Sequence, residues 1–523
     1  MQTLFQLICE AYSQVPDQSS VYLLQRSQPD QVMTYRDLLE GAAGYAQALE
    51  ESGVGQGEVV ILILQHSEAL IHAFFGAVLQ GVIPAIMPFL SEKLSPDKYR
   101  ESLTTLFEIT APAVVITQLE FMETVHQAME PGTPVQSVLL VEDIHPVPGI
   151  DPSGLPGNQR QPEDIVLLQH SSGTTGLQKG VALSHRAVFN QLKNYQAAIY
   201  LQEDDVIISW LPLYHDMGLI AGFLMPILCR VTLVLMSPFD WVRAPYLLMQ
   251  AITRFRGTLS WLPNFAYNFC AQKIQDRDLV GVDLSSWRAV INCSEPMYNR
   301  SHQLFLERFK PYGLHPEALA TCYAMAENVF AVTQGGIVTH STIDLISQRA
   351  FQDEHIAIPP IGDEETLSML SAGYPIPNTQ VRVIDKTRKD LPERHIGEIA
   401  LHSDCVLSSY YNRPDLTKKA FHDNWYLTGD LGYHADGELY ITGRKKDLII
   451  VGGKNIYPRD LELLASEVPG VHPGRVVAFG IFNERTGTED IVLLAEVDNL
   501  NTAEHAQIAN YIRQAVTQGS DVA

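Results

Sequence analysis

Ser171-Ser172-Gly173-Thr174-Thr175-Gly176-Leu177-Gln178-Lys179-Gly180 comes just after the apolar run Ile165–Leu168. Glycines let a backbone turn tightly and aim successive N–H groups at one point. The hydroxyls of Ser171, Ser172, Thr174 and Thr175 and the ammonium of Lys179 add donors around that point, as a polyphosphate requires. The loop is not a Walker A sequence, which needs Gly directly before Lys; Gln178 stands there. A solvated Ser/Thr/Gly surface loop is the plainer alternative. Gly53-Val54-Gly55-Gln56-Gly57 precedes its strand, the wrong order for a dinucleotide fingerprint, and reads as a turn.

Outward from this loop, short bursts of β-branched residues alternate with helical patterns. Val59–Leu64, Ala113–Ile116, Val138–Leu140, Val231–Met236 and Val290–Cys293 read as buried strands, and Ala42–Glu50 and Ala244–Phe255 as helices. This alternation predicts an α/β fold with two buried, parallel-rich sheets and packed helices. Asp143–Asp164 is dense in Pro and Gly and reads as a connection. Thr339–Ala372 lacks clear periodicity and reads as a loop-rich insertion. From about 375 to 444, the short strands Val381–Asp385, Gly397–Leu401 and Gly437–Ile441 predict a β-rich subdomain. Beyond it, strands and the helices Pro458–Glu467 and Ala503–Val516 predict a small α+β C-terminal domain over 445–523, after an N-terminal domain of 1–444.

The chain has 523 residues, ample for several domains, and its 36 Lys+Arg against 60 Asp+Glu leave a net charge of −24. That acidity argues against nucleic acid as a partner, because phosphate backbones need clustered cations. The six cysteines are scattered without CxxC spacing, which fits a reducing cytoplasm and speaks against disulfides or zinc. Met1–Glu10 lacks a basic leader and reads as a helix start. The uncharged run Ala69–Leu90 holds Gly81, Pro84 and Pro88, and reads as helix, turn and buried strand, with no insertion into membrane.

Four further stretches give the loop a context. Asn292-Cys293-Ser294-Glu295-Pro296, Tyr323-Ala324-Met325-Ala326-Glu327, Tyr426-Leu427-Thr428-Gly429-Asp430 and Gly443-Arg444-Lys445-Lys446-Asp447 follow it in order. Together the five resemble the signatures of the adenylate-forming superfamily, over nearly the whole chain. Within it, Trp210–Ile220, Pro263–Tyr267, Asp283–Arg288 and Asn455–Pro458 resemble the fatty acyl-AMP ligases, whose insertion falls where Thr339–Ala372 does.

The resemblance implies ATP-driven conversion of a fatty acid to acyl-adenylate, with release of pyrophosphate. The acyl group then passes to the phosphopantetheine arm of an acyl carrier protein. An acyl-CoA synthetase and a non-catalytic adenylate-binding module are the alternatives. It implies that Ser172, Thr174, Thr175, Gly176 and Lys179 hold the β,γ-phosphates and that Glu327 is the Mg2+ ligand. Ser294, Glu295, Pro296, Tyr323, Ala324 and Met325 would frame adenine; Asp430 and Arg444 would take the ribose. His215 would lie beside the acyl carboxylate, and Lys446 at an interdomain hinge. Met217, Leu219, Ile220, Phe223, Phe265 and Tyr267 are candidates for an acyl pocket, although such apolar spacing also describes an ordinary core. The superfamily's Pro-Lys-Thr-x-x-Gly-Lys segment, which carries an adenylation lysine, does not occur before Ala523. The C-terminal domain is therefore expected to be incomplete here, through a shortened chain or a natural variant slowed in adenylation.

Overall fold

Runs of Val, Ile and Leu without alternation suit strands buried on both faces, and the computed structural model places them so, except Ser137–Leu140 at a sheet edge, which is only half-buried. It describes residues 2–26, 29–90, 96–129, 132–171, 179–337, 339–451, 454–483, 488–498 and 501–519. The chain divides into two compact units: 1–342 with 373–380 and 402–426, and 343–372 with 381–401 and 427–523. This division does not follow the expected 444/445 boundary. Leu431, Tyr433 and Tyr440 share one apolar cluster with Tyr457, which draws 427–444 to the C-terminal residues.

The first unit holds a nine-stranded sheet. Its centre runs Leu319–Ala324, Ala289–Asn292, Leu259–Leu262, Val206–Ser209, Thr232–Met236 and Ser19–Leu24, all parallel, with antiparallel strands at both edges. A second, wholly parallel sheet runs Ile83–Ile86, Val59–Ile63, Val114–Thr117 and Ser137–Leu140. The expected α/β architecture with two parallel-rich sheets is therefore the observed one. The Ala69–Leu90 run resolves into the helix Glu68–Gln80, a left-handed Gly81 at φ +76° and the strand Ile83–Ile86. No helix among the described residues is long and apolar enough to cross a membrane. The N-terminal helix Leu4–Gln14 is closed by a reciprocal Thr3–Gln6 capping box.

In the second unit, the expected loop-rich insertion is instead ordered. Ile343–Ser347 pairs antiparallel with Thr366–Leu370, and the turn Ala350–Glu354 sits between them. Ile346, Phe351, Ala357 and Met369 are buried in the cluster shared with Tyr457. The apolar residues here are few and irregularly spaced, which hides their period in the sequence. The C-terminal part is α+β as expected: the hairpin Val471–Asn483/Thr488–Val497 and the helices Pro458–Ser466 and Thr502–Gly519 enclose Ile449, Leu461, Ile508 and Ile512.

Buried imidazoles make the fold acid-sensitive. His72, His170, His185 and His302 are all buried, and burial holds each down to about 4. The unfolded chain therefore binds more protons between pH 6.5 and 4, so stability is full above this window and is lost as pH falls through it. Asp216 and Asp460, pushed up to about 6 by burial, act oppositely over part of the range. We expect the stability deficit of His302→Gln at pH 7 to shrink by up to about 1.4 kcal/mol per pH unit below 6.5. Urea unfolding at pH 7, 6 and 5 checks this, and a constant deficit would contradict it.

Candidate active site

In the first unit the candidate residues follow the carboxyl ends of neighbouring strands of the large sheet, where open α/β sheets bind ligands. Val206–Ser209 leads to His215, Leu259–Leu262 to Phe265, Ala289–Asn292 to Ser294–Pro296, and Leu319–Ala324 to Glu327. The phosphate-loop candidate belongs to a separate small sheet. Ile165–Ser171 and Lys179–Ser184 pair antiparallel with Ser171 opposite Lys179, and Ser409–Tyr410 adds a third strand. Ser172, Thr174, Thr175 and Gly176 lie outside the described residues. Lys179 is half-buried, its ammonium 5.1 Å from the centroid of the Tyr410 ring.

Glu327 sits on the turn Ala326–Asn328, between the antiparallel strands Leu319–Ala324 and Ala331–Gly335. The turn is held at both ends: Met325 N–H donates to the Phe330 carbonyl at 2.9 Å, and Asn328 Nδ2 to the Ala331 carbonyl at 2.7 Å. Val329 adopts φ +63°, a strained choice for a β-branched residue and of the kind often kept at functional sites. Leu407 N–H donates to the Glu327 carbonyl at 2.8 Å, and the Tyr410 hydroxyl donates to Glu327 Oε1 at 2.8 Å. The Tyr426 hydroxyl lies 2.9 Å from that of Tyr410. Sequence reading passed over Tyr410; its one signal is the aromatic pair Tyr410-Tyr411 ahead of Asn-Arg-Pro.

His215 is exposed, yet desolvation by surrounding atoms lowers its pKa. Its neighbour Asp216 is pushed up to about 6 by burial, with the charge of Glu327 adding and the Met217 N–H bond opposing. The preceding Tyr214 carbonyl accepts from Gln169 Nε2 at 3.0 Å, joining this loop to the strand before Ser171.

The acyl-pocket candidates do not behave alike. Met217, Leu219, Ile220 and Phe223 are buried on the π-helical segment Met217–Leu224. Phe223 packs edge-on to Phe74 and tilted on Phe75, both centroids at 5.7 Å, as a core residue does. Tyr267 is also core: its hydroxyl donates to the Val290 carbonyl at 3.0 Å and its ring stacks on His302. Phe265 is exposed and stands edge-on to the stacked Trp210–Trp241 pair.

Ser294, Glu295 and Pro296 form an exposed loop, with Ser294 at φ +65°. The strand before it is anchored by Asn292 Nδ2, which reaches Asn264 Oδ1 at 3.0 Å and His302 Nε2 at 3.1 Å. The Glu295 carboxylate accepts from Phe265 N–H at 3.0 Å, at the start of the helix Asn264–Lys273, where a negative charge is favoured. That helix end engages the Glu295 side chain. Tyr323 is buried, and Ala324 and Met325 are half-buried.

Asp430 and Arg444 belong to the second unit. They are register partners on antiparallel strands, with Arg444 Nε 3.2 Å from Asp430 Oδ1. Asp430 is buried and Arg444 exposed. Gly429 takes φ +75°, which lets the Thr428 hydroxyl accept from Asp430 N–H at 3.0 Å while donating to the Ile399 carbonyl at 2.8 Å. Lys446 lies on the exposed turn after Arg444.

Among the described residues no three His, Cys, Asp or Glu side chains cluster to hold a metal by themselves. A single carboxylate such as Glu327 nevertheless suits Mg2+, which is held through one or two carboxylates together with substrate phosphates and water.

The family model described as AMP-binding enzyme matches residues 10–411. The chain belongs to the AMP-binding enzymes. This adenylate-forming family includes a putative acyl-CoA synthetase of Caulobacter vibrioides, 30% identical over 89% of this chain and 81% of its own length. The long-chain-fatty-acid–AMP ligase FadD26 of Mycobacterium bovis is 30% identical over 96% of this chain and 88% of its own. The medium-chain-fatty-acid–[acyl-carrier-protein] ligase JamA of Moorena producens is 28% identical over 94% and 84%. A solved structure from work on fatty acyl-adenylate ligases of E. coli and L. pneumophila superposes with TM-score 0.91 at 26% identity. It covers 100% of this chain and 92% of that one.

Backbone conformation at the Asp430 turn of this AMP-binding enzyme is open to a direct test. A Cβ added at Gly429 meets nothing within 4 Å, so Gly429→Ala should cost only left-handed strain, about 1 kcal/mol. A Cβ at Gly432 falls 2.4 Å from the Tyr440 carbonyl oxygen, so Gly432→Ala should cost more, about 2 kcal/mol or above. Urea unfolding of both variants should give that order.

Proposed function

We propose that this AMP-binding enzyme activates a fatty acid with ATP to acyl-adenylate and pyrophosphate, then transfers the acyl group to the phosphopantetheine thiol of an acyl carrier protein. FadD26 and JamA support the fatty-acid substrate, and JamA the carrier acceptor. The observation that carries the choice of acceptor is the ring of Phe351, 5.1 Å from that of Tyr457. It fastens the 343–372 segment to the residues beyond the Lys446 turn. Such a tether limits the swing that presents a small soluble thiol such as coenzyme A.

In this reading Lys179 and the hydroxyls of Ser172, Thr174 and Thr175 hold the β,γ-phosphates. Asp430 accepts from the ribose hydroxyls, and Arg444, already aligned by it, donates. Tyr323–Met325 and the backbone of Ser294–Pro296 frame adenine. His215 stands beside the acyl carboxylate and, with its lowered pKa, is neutral there near pH 7. Glu327 holds Mg2+, which when bound offsets charge on the phosphates. Lys446 is the hinge between 1–444 and 445–523, and the cytoplasm is the proposed location. The Caulobacter relative favours a second reading, acyl-CoA synthesis.

Incubation with ATP, Mg2+, a medium-chain fatty acid, coenzyme A and a holo carrier protein, followed by mass spectrometry, separates these readings. Acyl-AMP and acyl-carrier with little acyl-CoA is expected; abundant acyl-CoA would replace the first reading with the second. Asp430→Ala should raise the KM for ATP by about tenfold or more, the worth of a hydrogen bond to a charged group. An unchanged KM would remove Asp430 from the nucleotide site.

A further inference from the structure

We infer that Tyr410 is the positioning residue that keeps the Lys179 ammonium and the Glu327 carboxylate apart and separately aimed. The inference rests on the proposed roles of those two residues. Its backbone origin is the small antiparallel sheet. Tyr410 pairs with Val181, so Lys179, two residues earlier on the same face, is its diagonal cross-strand neighbour. The ring face of Tyr410 meets the ammonium at 5.1 Å, and its hydroxyl meets Glu327 Oε1 at 2.8 Å.

A lysine and a glutamate this close to one ring would ordinarily neutralise each other. Among the described residues Lys179 and Glu327 each meet Tyr410 and form no ion pair with one another. The cation rests instead on a π-face, and the carboxylate accepts from a neutral hydroxyl. Both partners are uncharged, so both charges stay available to a phosphate and a metal. The hydroxyl chain also has a fixed direction. Tyr410 carries one proton and donates it to Glu327, so the Tyr426 hydroxyl at 2.9 Å must donate to Tyr410. Both tyrosines are buried, at 5% and 4% exposure, so bulk water does not compete for these bonds. Partners that orient a metal ligand from behind are commonly worth 10–100-fold in metal affinity.

The test measures Mn2+ binding by electron paramagnetic resonance, in the presence of a non-hydrolysable ATP analogue, for four proteins. Relative to the wild type, Glu327→Gln should bind Mn2+ at least about tenfold more weakly, and Tyr410→Phe about tenfold more weakly. Tyr410→Leu, which also removes the ring between the charges, should weaken both Mn2+ and the ATP analogue. Wild-type Mn2+ affinity in Tyr410→Phe beside a weakened Glu327→Gln would overturn the inference and leave the proposed role of Glu327 standing. Unchanged affinity in Glu327→Gln would overturn that role itself. Thermal unfolding confirms that each variant is folded. If Tyr410→Phe is not, Tyr426→Phe breaks the same chain one hydroxyl earlier, and wild-type Mn2+ affinity there would overturn the inference.

Discussion

The bond from Tyr410 to Glu327 joins two parts of the chain that are distant in sequence and differ in kind. One is the tight turn at the edge of the large parallel sheet; the other is the strand that extends the small antiparallel sheet carrying Lys179. Leu407 N–H, donating to the carbonyl of Glu327, makes the link double. Backbone fixes where the turn is, and side chain fixes where the carboxylate points. A carboxylate held by one bond alone can rotate; held at both ends of its residue it cannot drift from the strand ends where the other candidate residues gather. The chain carries a net charge of −24, so placing its few cations matters more than their number. Lys179 is placed by strand register before any ligand arrives.

A second constraint lies beneath the Ser294 loop. At the end of the strand before it, the Asn292 side chain ties the chain to Asn264 and His302. Because Asn292 Nδ2 donates, His302 Nε2 must accept, so the ring is neutral, in keeping with its depressed pKa. Tyr267 then stacks on that ring and bonds the Val290 carbonyl. The residues that hold the loop are thus sealed in core, and the loop itself is exposed. Glu295, engaged with the helix at Phe265, fixes the loop at its middle. The loop is thus rigid below and accessible above.

How much of this was legible follows from which signals are local. The buried strands declared themselves as β-branched runs, and the Ala69–Leu90 segment as helix, glycine and strand, because those preferences act over a few residues. The loop at 171–180 stands out by composition, its glycines, hydroxyls and lysine lying together, while 172–178 fall outside the described residues. Tyr410 was not. Its role arises from strand pairing 229 residues from Val181 and from a turn 83 residues away, and no pattern within its own segment encodes either. Phe223 and Tyr267 were indistinguishable from pocket residues for the converse reason. Apolar spacing is the same whether a side chain faces a ligand or Phe74 and His302.

The insertion shows the same logic at larger scale. Ile343–Ser347 and Thr366–Leu370 are separated by an acid-rich stretch that holds Pro359-Pro360, so neither reads as half of a pair. Yet they place Phe351 against Tyr457, while Asp344 accepts from both Arg394 and the Tyr433 hydroxyl. An apolar ring contact and a charge-assisted bond thus attach one short segment to the β-rich strands and to the residues after the Lys446 turn together. Any rotation about that turn that carries Tyr457 away from Phe351 must expose both rings to water. Burial of aromatic surface is worth roughly 25 cal/mol per Å2. A few tens of Å2 on each ring is already enough to bias a hinge equilibrium by about tenfold. The segment is therefore held to the residues after the Lys446 turn by ordinary packing.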